Sequence, residues 1–252
     1  MTKIAVIYFP GTNCEQETKR ACEAAGLKAD VIRWNAKELE SYAGYILPGG
    51  WSYEDRIRAG VIASKDRILD AIREGAEQGK VVLGICNGCQ ILVESGIIPL
   101  LAEQAQMALA PNINPFISGY YCTWVKIKNS SKKETAFNSV MEDDEVLSIP
   151  VAHGEGRFTT KDTALVNELI DHDQLLFRYC DAAGKIIDKF PVNPNGSMIN
   201  IAGICNKQGN VLAMMPHPER ATWQRQVPTY HEEGDGPGPG IKIFESIKEY
   251  LK

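Results

Sequence analysis

The sequence has no block of basic residues, no long apolar run, no internal repeat and only four histidines, and each shortage excludes something. Its 27 Lys+Arg are outnumbered by 32 Asp+Glu, a formal net charge of −5. Without a Lys/Arg-rich stretch there is no electrostatic footprint for nucleic acid. The opening apolar run, 1–9, is stopped by Pro10-Gly11. It is too short to span a membrane and lacks the small-residue cleavage site of a signal peptide. Seven cysteines in 252 residues are an odd number, unlike a secreted disulfide framework, and a chain this long can bury enough surface to hold a core without staples. A reducing, cytoplasmic location is therefore expected, and the sequon-like Asn129-Ser130-Ser131 and Asn195-Gly196-Ser197 read as chance matches. With 44% hydrophobic and 23% charged residues the composition is that of an ordinary globular protein, not a disordered, collagen-like or coiled-coil chain. No linker forces a boundary, so residues 1–252 are read as one domain. The glycine- and proline-rich stretch Gly234–Gly240 reads as a surface loop.

What is present alternates in the first half. Short apolar runs at Lys3–Phe9, Ala29–Trp34, Tyr45–Leu47 and Lys80–Ile85 read as strands. Helical patterns lie between them at Glu15–Ala25, ended by Gly26, and at Ser64–Gln78. In the second helix Ile68, Leu69, Ile72 and Ala76 share a face, Ser64 is the candidate N-cap and Gly79 the candidate stop. The fourth run is apolar almost throughout, as a strand covered on both faces should be. Such alternation predicts a mostly parallel sheet flanked by helices, an α/β fold. The second half reads as further strands, Tyr121–Lys128, Val146–Ala152, Gln174–Cys180, Ile201–Asn206 and Val211–Met215. Several are hairpin-like and would add antiparallel strands. A helix, Ile241–Leu251, closes the chain.

The chemistry concentrates at Val81-Val82-Leu83-Gly84-Ile85-Cys86-Asn87-Gly88-Cys89-Gln90. A buried-type strand runs into Gly-x-Cys-x-Gly and a helix follows at once, the cysteine form of a nucleophile elbow. Such a turn lifts Cys86 above the sheet at a helix N-terminus, where free N–H groups favour a thiolate. It also offers the Asn87 N–H to an oxyanion. Cys86 and Cys89 form a C-x-x-C as well, so a thiol–disulfide protein is an alternative. The position after the fourth strand and the bracketing glycines weigh against it. Zinc lacks a second ligand pair of matching spacing.

A nucleophilic cysteine needs a base. His217 follows the apolar run Val211–Met215, and Glu219 lies two residues on across Pro218, where an extended or turned backbone lets a carboxylate fix the imidazole tautomer. Nucleophile, general base and orienting acid would be Cys86, His217 and Glu219. A papain-like arrangement would lack the elbow and the neighbouring glutamate. The strand end Pro48-Gly49-Gly50 would sit at the same sheet edge with its N–H groups turned toward a ligand. His153, in Val151-Ala152-His153-Gly154-Glu155-Gly156, reads either as a polar contact at the pocket rim or as a surface histidine.

The elbow Gly84–Gln90 followed far downstream by His217-Pro218-Glu219 resembles the triad (class I) glutamine amidotransferases. Further stretches resemble, within them, the glutaminase subunits of phosphoribosylformylglycinamidine synthase. These are Tyr8–Cys14, Pro48–Tyr53, Arg58-Ala59-Gly60, Ile149–Gly156, Asn193–Ser197 and Met214–Arg220, and the resemblance runs over nearly the whole chain. It implies a flavodoxin-like three-layer sandwich whose activity is hydrolysis of L-glutamine to glutamate and ammonia through a thioester on Cys86. It also implies Gly50 and Asn87 as the oxyanion hole and Gln90 as a substrate contact, with His153 near the site. Ammonia would pass to a synthetase subunit that binds ATP and Mg²⁺ and converts formylglycinamide ribonucleotide to the amidine, with a small third subunit completing the assembly. This chain itself would hold no cofactor. It departs from the family's usual Phe, Gly and Tyr at Trp51, Glu54 and Arg56, and carries Cys89 where many separate subunits have Phe. Those positions bear on the subunit interface and activation. The rival within the group is an amidotransferase serving another acceptor.

Overall fold

The computed structural model describes residues 2–229, 231 and 234–252; Met1 of the opening run lies outside them. The main sheet is built from β1 (Lys3–Tyr8), β2 (Lys28–Arg33), β3 (Gly44–Leu47), β4 (Val81–Ile85), β6 (Tyr121–Asn129), β7 (Val146–His153), β9 (Phe177–Cys180), β10 (Ile201–Cys205) and β11 (Val211–Met214). These nine strands run in the order β2-β1-β3-β4-β11-β10-β9-β6-β7. The part from β2 to β11 is parallel throughout. The remaining four pairings are antiparallel. The parallel strands have the flavodoxin-like order, with ligands expected beyond their carboxyl ends. The α/β sandwich predicted from sequence is thus the fold observed, with antiparallel strands added on one side.

Helix α1 (Glu15–Ala24) connects β1 to β2, and α2 (Ile68–Glu77) connects β3 to β4. Because these connections step in opposite directions along the sheet, right-handed crossovers place the two helices on opposite faces. Helix α3 (Asn87–Glu94) packs over β3, β4 and β11, while α5 (Ile241–Tyr250) packs with α1. β3, β4, β10 and β11 are buried along their full length, as their continuous apolar sequences require for strands covered on both faces.

Four local readings change. Ser64 does not cap α2. It lies in a separate short turn, Ala63–Lys65, and its hydroxyl donates to the Val61 carbonyl at 2.8 Å. Asp66 is extended (ψ 140°), which breaks the helix there and delays α2 to Ile68. The strand expected over Gln174–Cys180 begins only at Phe177, because the backbone turns at its start, the Leu176 amide donating to the Gln174 carbonyl at 3.0 Å, while the Gln174 side chain donates to the Pro99 and Cys205 carbonyls. Two elements escaped the pattern reading. The first is the small ribbon of β5 (Ala108–Ala110) with β8 (Arg157–Thr159), too short to show a period. The second is α4 (Thr163–Asp171), capped by the Asp162 carboxylate on the Ala164 and Leu165 amides. Lastly, Gly234–Gly240 is only partly a surface loop. Gly238 and Gly240 are buried, and a Cβ on them would lie 2.4 Å from the Ala221 carbonyl oxygen and 2.2 Å from that of Pro218. These glycines let the chain close over the back of the Pro218–Ala221 turn.

Candidate active site

The carboxyl ends of β1, β3, β4 and β11 share one edge, and each delivers part of the site. Cys86 directly follows β4 with φ 51° and ψ −103°, a strained conformation for a residue with a side chain. Two close approaches make the flanking glycines necessary. A Cβ on Gly84 would lie 2.6 Å from the Gly88 carbonyl oxygen, and one on Gly88 only 1.9 Å from that of Leu47. The turn is held by the Cys86 amide donating to Met214 O at 2.8 Å and the Gln90 amide donating to Cys86 O at 3.0 Å. Cys86 thereby stands at the N-terminus of α3, and its thiol donates to the Ala152 carbonyl at 3.5 Å.

β11 lies beside β4 in register, Met214 opposite Ile85, so the chain leaving β11 arrives next to Cys86. The His217 amide donates to Pro150 O at 2.8 Å, tying the turn to β7. His217 Nδ1 is 2.6 Å from Glu219 Oε1. Glu219 is fully buried, and Nε2 of His217 makes no hydrogen bond to the described residues. Burial alone would press the imidazole toward its neutral form. The Glu219 carboxylate, reinforced by the Cys86 and Cys14 sulfurs, outweighs that and holds His217 well above the ordinary histidine pKa.

A cavity of ≈ 220 Å³ collects most of the sequence-predicted residues: Cys86, Gly50, Gln90, His153 and His217 line it. Glu219 sits behind His217, outside the lining. Gly50 follows β3, and neither its amide nor that of Asn87 donates to any group among the described residues. The Asn87 side chain is fully engaged. Its Oδ1 accepts from the Ser52 amide at 3.0 Å, while its Nδ2 donates to Asp55 Oδ1 at 3.1 Å and Gln90 Oε1 at 2.9 Å. Gln90 in turn donates to the Glu155 carbonyl at 2.7 Å, so its amide braces the wall as well as lining it. His153 is buried, not a surface histidine. Its Nδ1 meets Asn112 Oδ1 at 3.0 Å, and burial together with the neighbouring His217 pushes its pKa down to about 3, leaving it neutral.

Sequence reasoning gave no role in the site to other lining residues, Asn13, Cys14, Trp51, Asp55, Ala59, Tyr120, Glu155 and Arg220 among them. Arg220 adjoins the His-Pro-Glu turn and Glu155 lies in the His153–Gly156 stretch, so adjacency was the available signal for both. Tyr120 gave none. Cys14 accepts from Arg220 Nη2 at 3.2 Å, and burial raises its thiol pKa. Cys14, His217 and Glu219 form the one group among the described residues with donor atoms spaced for a metal ion, all within 4.8 Å. Two of those three donors are already spent on the His217–Glu219 hydrogen bond. Cys89 is fully buried behind the elbow, and burial and the Cys86 sulfur hold its thiol pKa well up. That is the opposite of what a disulfide-exchange partner needs.

Comparison with known proteins gives three concordant findings. Residues 1–251 match the model of the CobB/CobQ-like glutamine amidotransferase domain. The chain is 48% identical over 258 residues to the phosphoribosylformylglycinamidine synthase subunit PurQ of Methanothrix thermoacetophila, covering 99% of this chain and 98% of that one. It is 42% identical to the subunit of the same name from Pyrococcus horikoshii, over the whole of both. Among solved structures it resembles a chain in the structure of PurLQS from Thermotoga maritima, with a TM-score of 0.79 and 33% identity, covering 100% of this chain and 99% of that one.

Proposed function

The chain belongs to the CobB/CobQ-like glutamine amidotransferase family, and on that footing we propose that it is the glutamine-hydrolysing subunit of a phosphoribosylformylglycinamidine synthase, acting in purine biosynthesis through Cys86, His217 and Glu219. The observation that carries the assignment of residues is the shared cavity. The strained Cys86 and the Glu219-anchored His217 come from separate strands and meet over one small space at the sheet edge.

His217 takes the Cys86 proton, and the thiolate attacks the side-chain amide carbon of glutamine. The oxyanion formed is met by the Gly50 and Asn87 amides, which donate to no group among the described residues. As the carbon–nitrogen bond breaks, His217 returns the proton to the departing nitrogen, ammonia leaves, and a glutamyl thioester remains on Cys86. Water activated by the same imidazole then cleaves the thioester to glutamate and the free thiol. Glu219 keeps Nδ1 protonated and stabilises the imidazolium, so that Nε2 faces the reaction. The whole chain works as one amidotransferase domain.

The ammonia has its use on a partner. We assign ATP, Mg²⁺ and formylglycinamide ribonucleotide to a synthetase subunit, with a small third subunit completing a cytoplasmic assembly. The relation to PurLQS supports this arrangement. Among the described residues no helix is long and apolar enough to cross a membrane. Trp51 and Tyr120, stacked with ring centroids 6.1 Å apart and about half exposed, border the cavity and provide an aromatic rim for the synthetase.

A diazoketone analogue of glutamine tests the reading. It is expected to label Cys86 alone, with glutamine protecting, when the synthetase is present. An unlabelled Cys86 in that assembly, or label confined to Cys14, would sink the assignment of the nucleophile.

A further inference from the structure

The cavity carries two carboxylates that the hydrolysis above does not use. Asp55 belongs to the loop after β3 and Glu155 to the turn after β7, and both line the same space as Cys86. Neither has an ion-pair partner among the described residues. Asp55 takes only the Asn87 amide at 3.1 Å, and Glu155 Oε2 takes only the Ala59 amide at 3.4 Å. Arg220, the guanidinium on the cavity wall, is turned to Cys14 Sγ at 3.2 Å and lies 3.6 Å from Glu17. The neighbouring charges of the loop, Glu54 and Arg56, pair with each other in solvent. Two acids therefore face a half-buried space, and among the described residues no cation pairs with either of them.

The backbone is strained to put one of them there. Tyr53, Glu54 and Asp55 are consecutive left-handed residues, with φ 53°, 59° and 51°, a conformation that costs free energy at every non-glycine position. A second feature points to a ligand on the same cavity. The Nε2 atoms of His217 and His153, residues only 3% and 2% exposed, have no hydrogen-bond partner among the described residues. Polar atoms so buried are normally satisfied, and here the missing partner is what the cavity admits.

Resting on the glutaminase reading, we propose that Asp55 and Glu155 together bind the α-ammonium group of glutamine, so that the site reads the free amino end of its substrate as well as the amide it cleaves. The Asn87 side chain couples the two ends, since the residue whose backbone amide is offered to the oxyanion also fixes Asp55. The electrostatics agree. Burial and the charge of Glu155 push the Asp55 pKa up to about 6, and the attraction of an ammonium placed between the carboxylates would offset both effects. The other titratable groups on the cavity wall, Cys14, Cys86, Tyr120, His153, His217 and Arg220, act on catalysis whether or not the substrate has an amino group. A comparison of substrates therefore cancels them.

The test uses the chain assembled with its synthetase and two substrates, glutamine and glutaramic acid, which has the same amide and carboxylate but no amino group. The readout is the ratio of kcat/KM for glutamine to that for glutaramic acid. Wild type should favour glutamine, and Asp55→Asn should cut that ratio about 10- to 100-fold, the effect of losing a charge-assisted contact, mainly through KM for glutamine. In wild type the ratio should climb with pH through about 6 as Asp55 ionises. Glu155→Gln should move that climb to lower pH, because it removes the repelling charge. If Asp55→Asn depresses both substrates equally, or the wild-type ratio is flat with pH, the ammonium site is overturned. Should wild type release no ammonia from glutamine at all, the glutaminase reading itself fails, a distinct result.

Discussion

Replacing Glu219 with glutamine isolates what its charge does. Glu219 is fully buried and contacts His217 Nδ1 at 2.6 Å, while its second oxygen has no partner among the described residues. In Glu219→Gln the new side-chain carbonyl would still accept from the Nδ1–H with little change in volume, so the imidazole keeps its tautomer while the negative charge disappears. Hydrogen bonds to charged groups contribute about 1.5–3 kcal/mol, which predicts a loss of about 10- to 150-fold in kcat/KM for glutamine. The pH profile gives the sharper signature. The competent form of the Cys86–His217 pair holds one proton, so the acid and alkaline limbs belong to the pair and not to either residue. Burial opposes the imidazolium, and Glu219 is the leading influence holding His217 above its ordinary pKa. Removing a negative charge makes protons easier to lose at both steps, so both limbs should move to lower pH in Glu219→Gln. Ammonia release measured across about pH 5–10 in the assembled complex reads this directly. Unmoved limbs would refute the claim that Glu219 acts through its charge, and an unimpaired rate would remove it from the mechanism.

Cys86→Ala should abolish glutamine-dependent synthesis while ammonium salts still support the reaction on the partner; failure with ammonium too would mean that the substitution disturbs assembly. Cys89→Ala should retain glutamine hydrolysis at a modest cost in stability, since Cys89 is a buried packing residue; loss of activity with a normal melting curve would revive the thiol-exchange alternative. Glu54→Gly should stabilise the chain by about 1 kcal/mol, because φ 59° suits glycine and strains glutamate. In a chain of this size that raises Tm by roughly 2–4 °C in calorimetry. A lowered Tm would show that the exposed Glu54–Arg56 pair outweighs the strain.

What the sequence disclosed follows from how local each signal is. The elbow is contained within Gly84–Gln90, where the buried strand, the two close-approach glycines and the helix start all lie within a few residues. His217 and Glu219 are two residues apart and needed only a turn. The pairing of Cys86 with His217, by contrast, depends on β11 inserting beside β4 in register, which no local period encodes. Only the scarcity of histidines and the family resemblance point to it. Asp55 and Cys14 come to the cavity from separate loops, and a lone acid or thiol in a loop carries no sign of what will face it; Glu155 and Arg220 had only their nearness to His153 and His217 to mark them. The same limit explains Ser64. It looks like a cap, but an extended Asp66 just beyond it separates it from the helix it would have started.

The strained residues in this region are braced by one side chain, and that has a measurable consequence. Asn87 bonds at once to the Ser52 amide, the Asp55 carboxylate and Gln90, thereby linking the left-handed turn after β3 to the elbow after β4. Asn87→Ala would remove all three bonds and leave the buried Ser52 amide without its acceptor, a cost of about 2–4 kcal/mol that lowers Tm by roughly 5–15 °C. The backbone amide of residue 87 survives the substitution, so oxyanion stabilisation should persist once substrate is in place. The kinetic loss should therefore fall on KM for glutamine, through a misplaced Asp55, with kcat reduced much less. If instead kcat collapses and KM holds, the side chain supports the elbow geometry at Cys86, and the division between a backbone that stabilises the oxyanion and a side chain that positions the substrate is wrong.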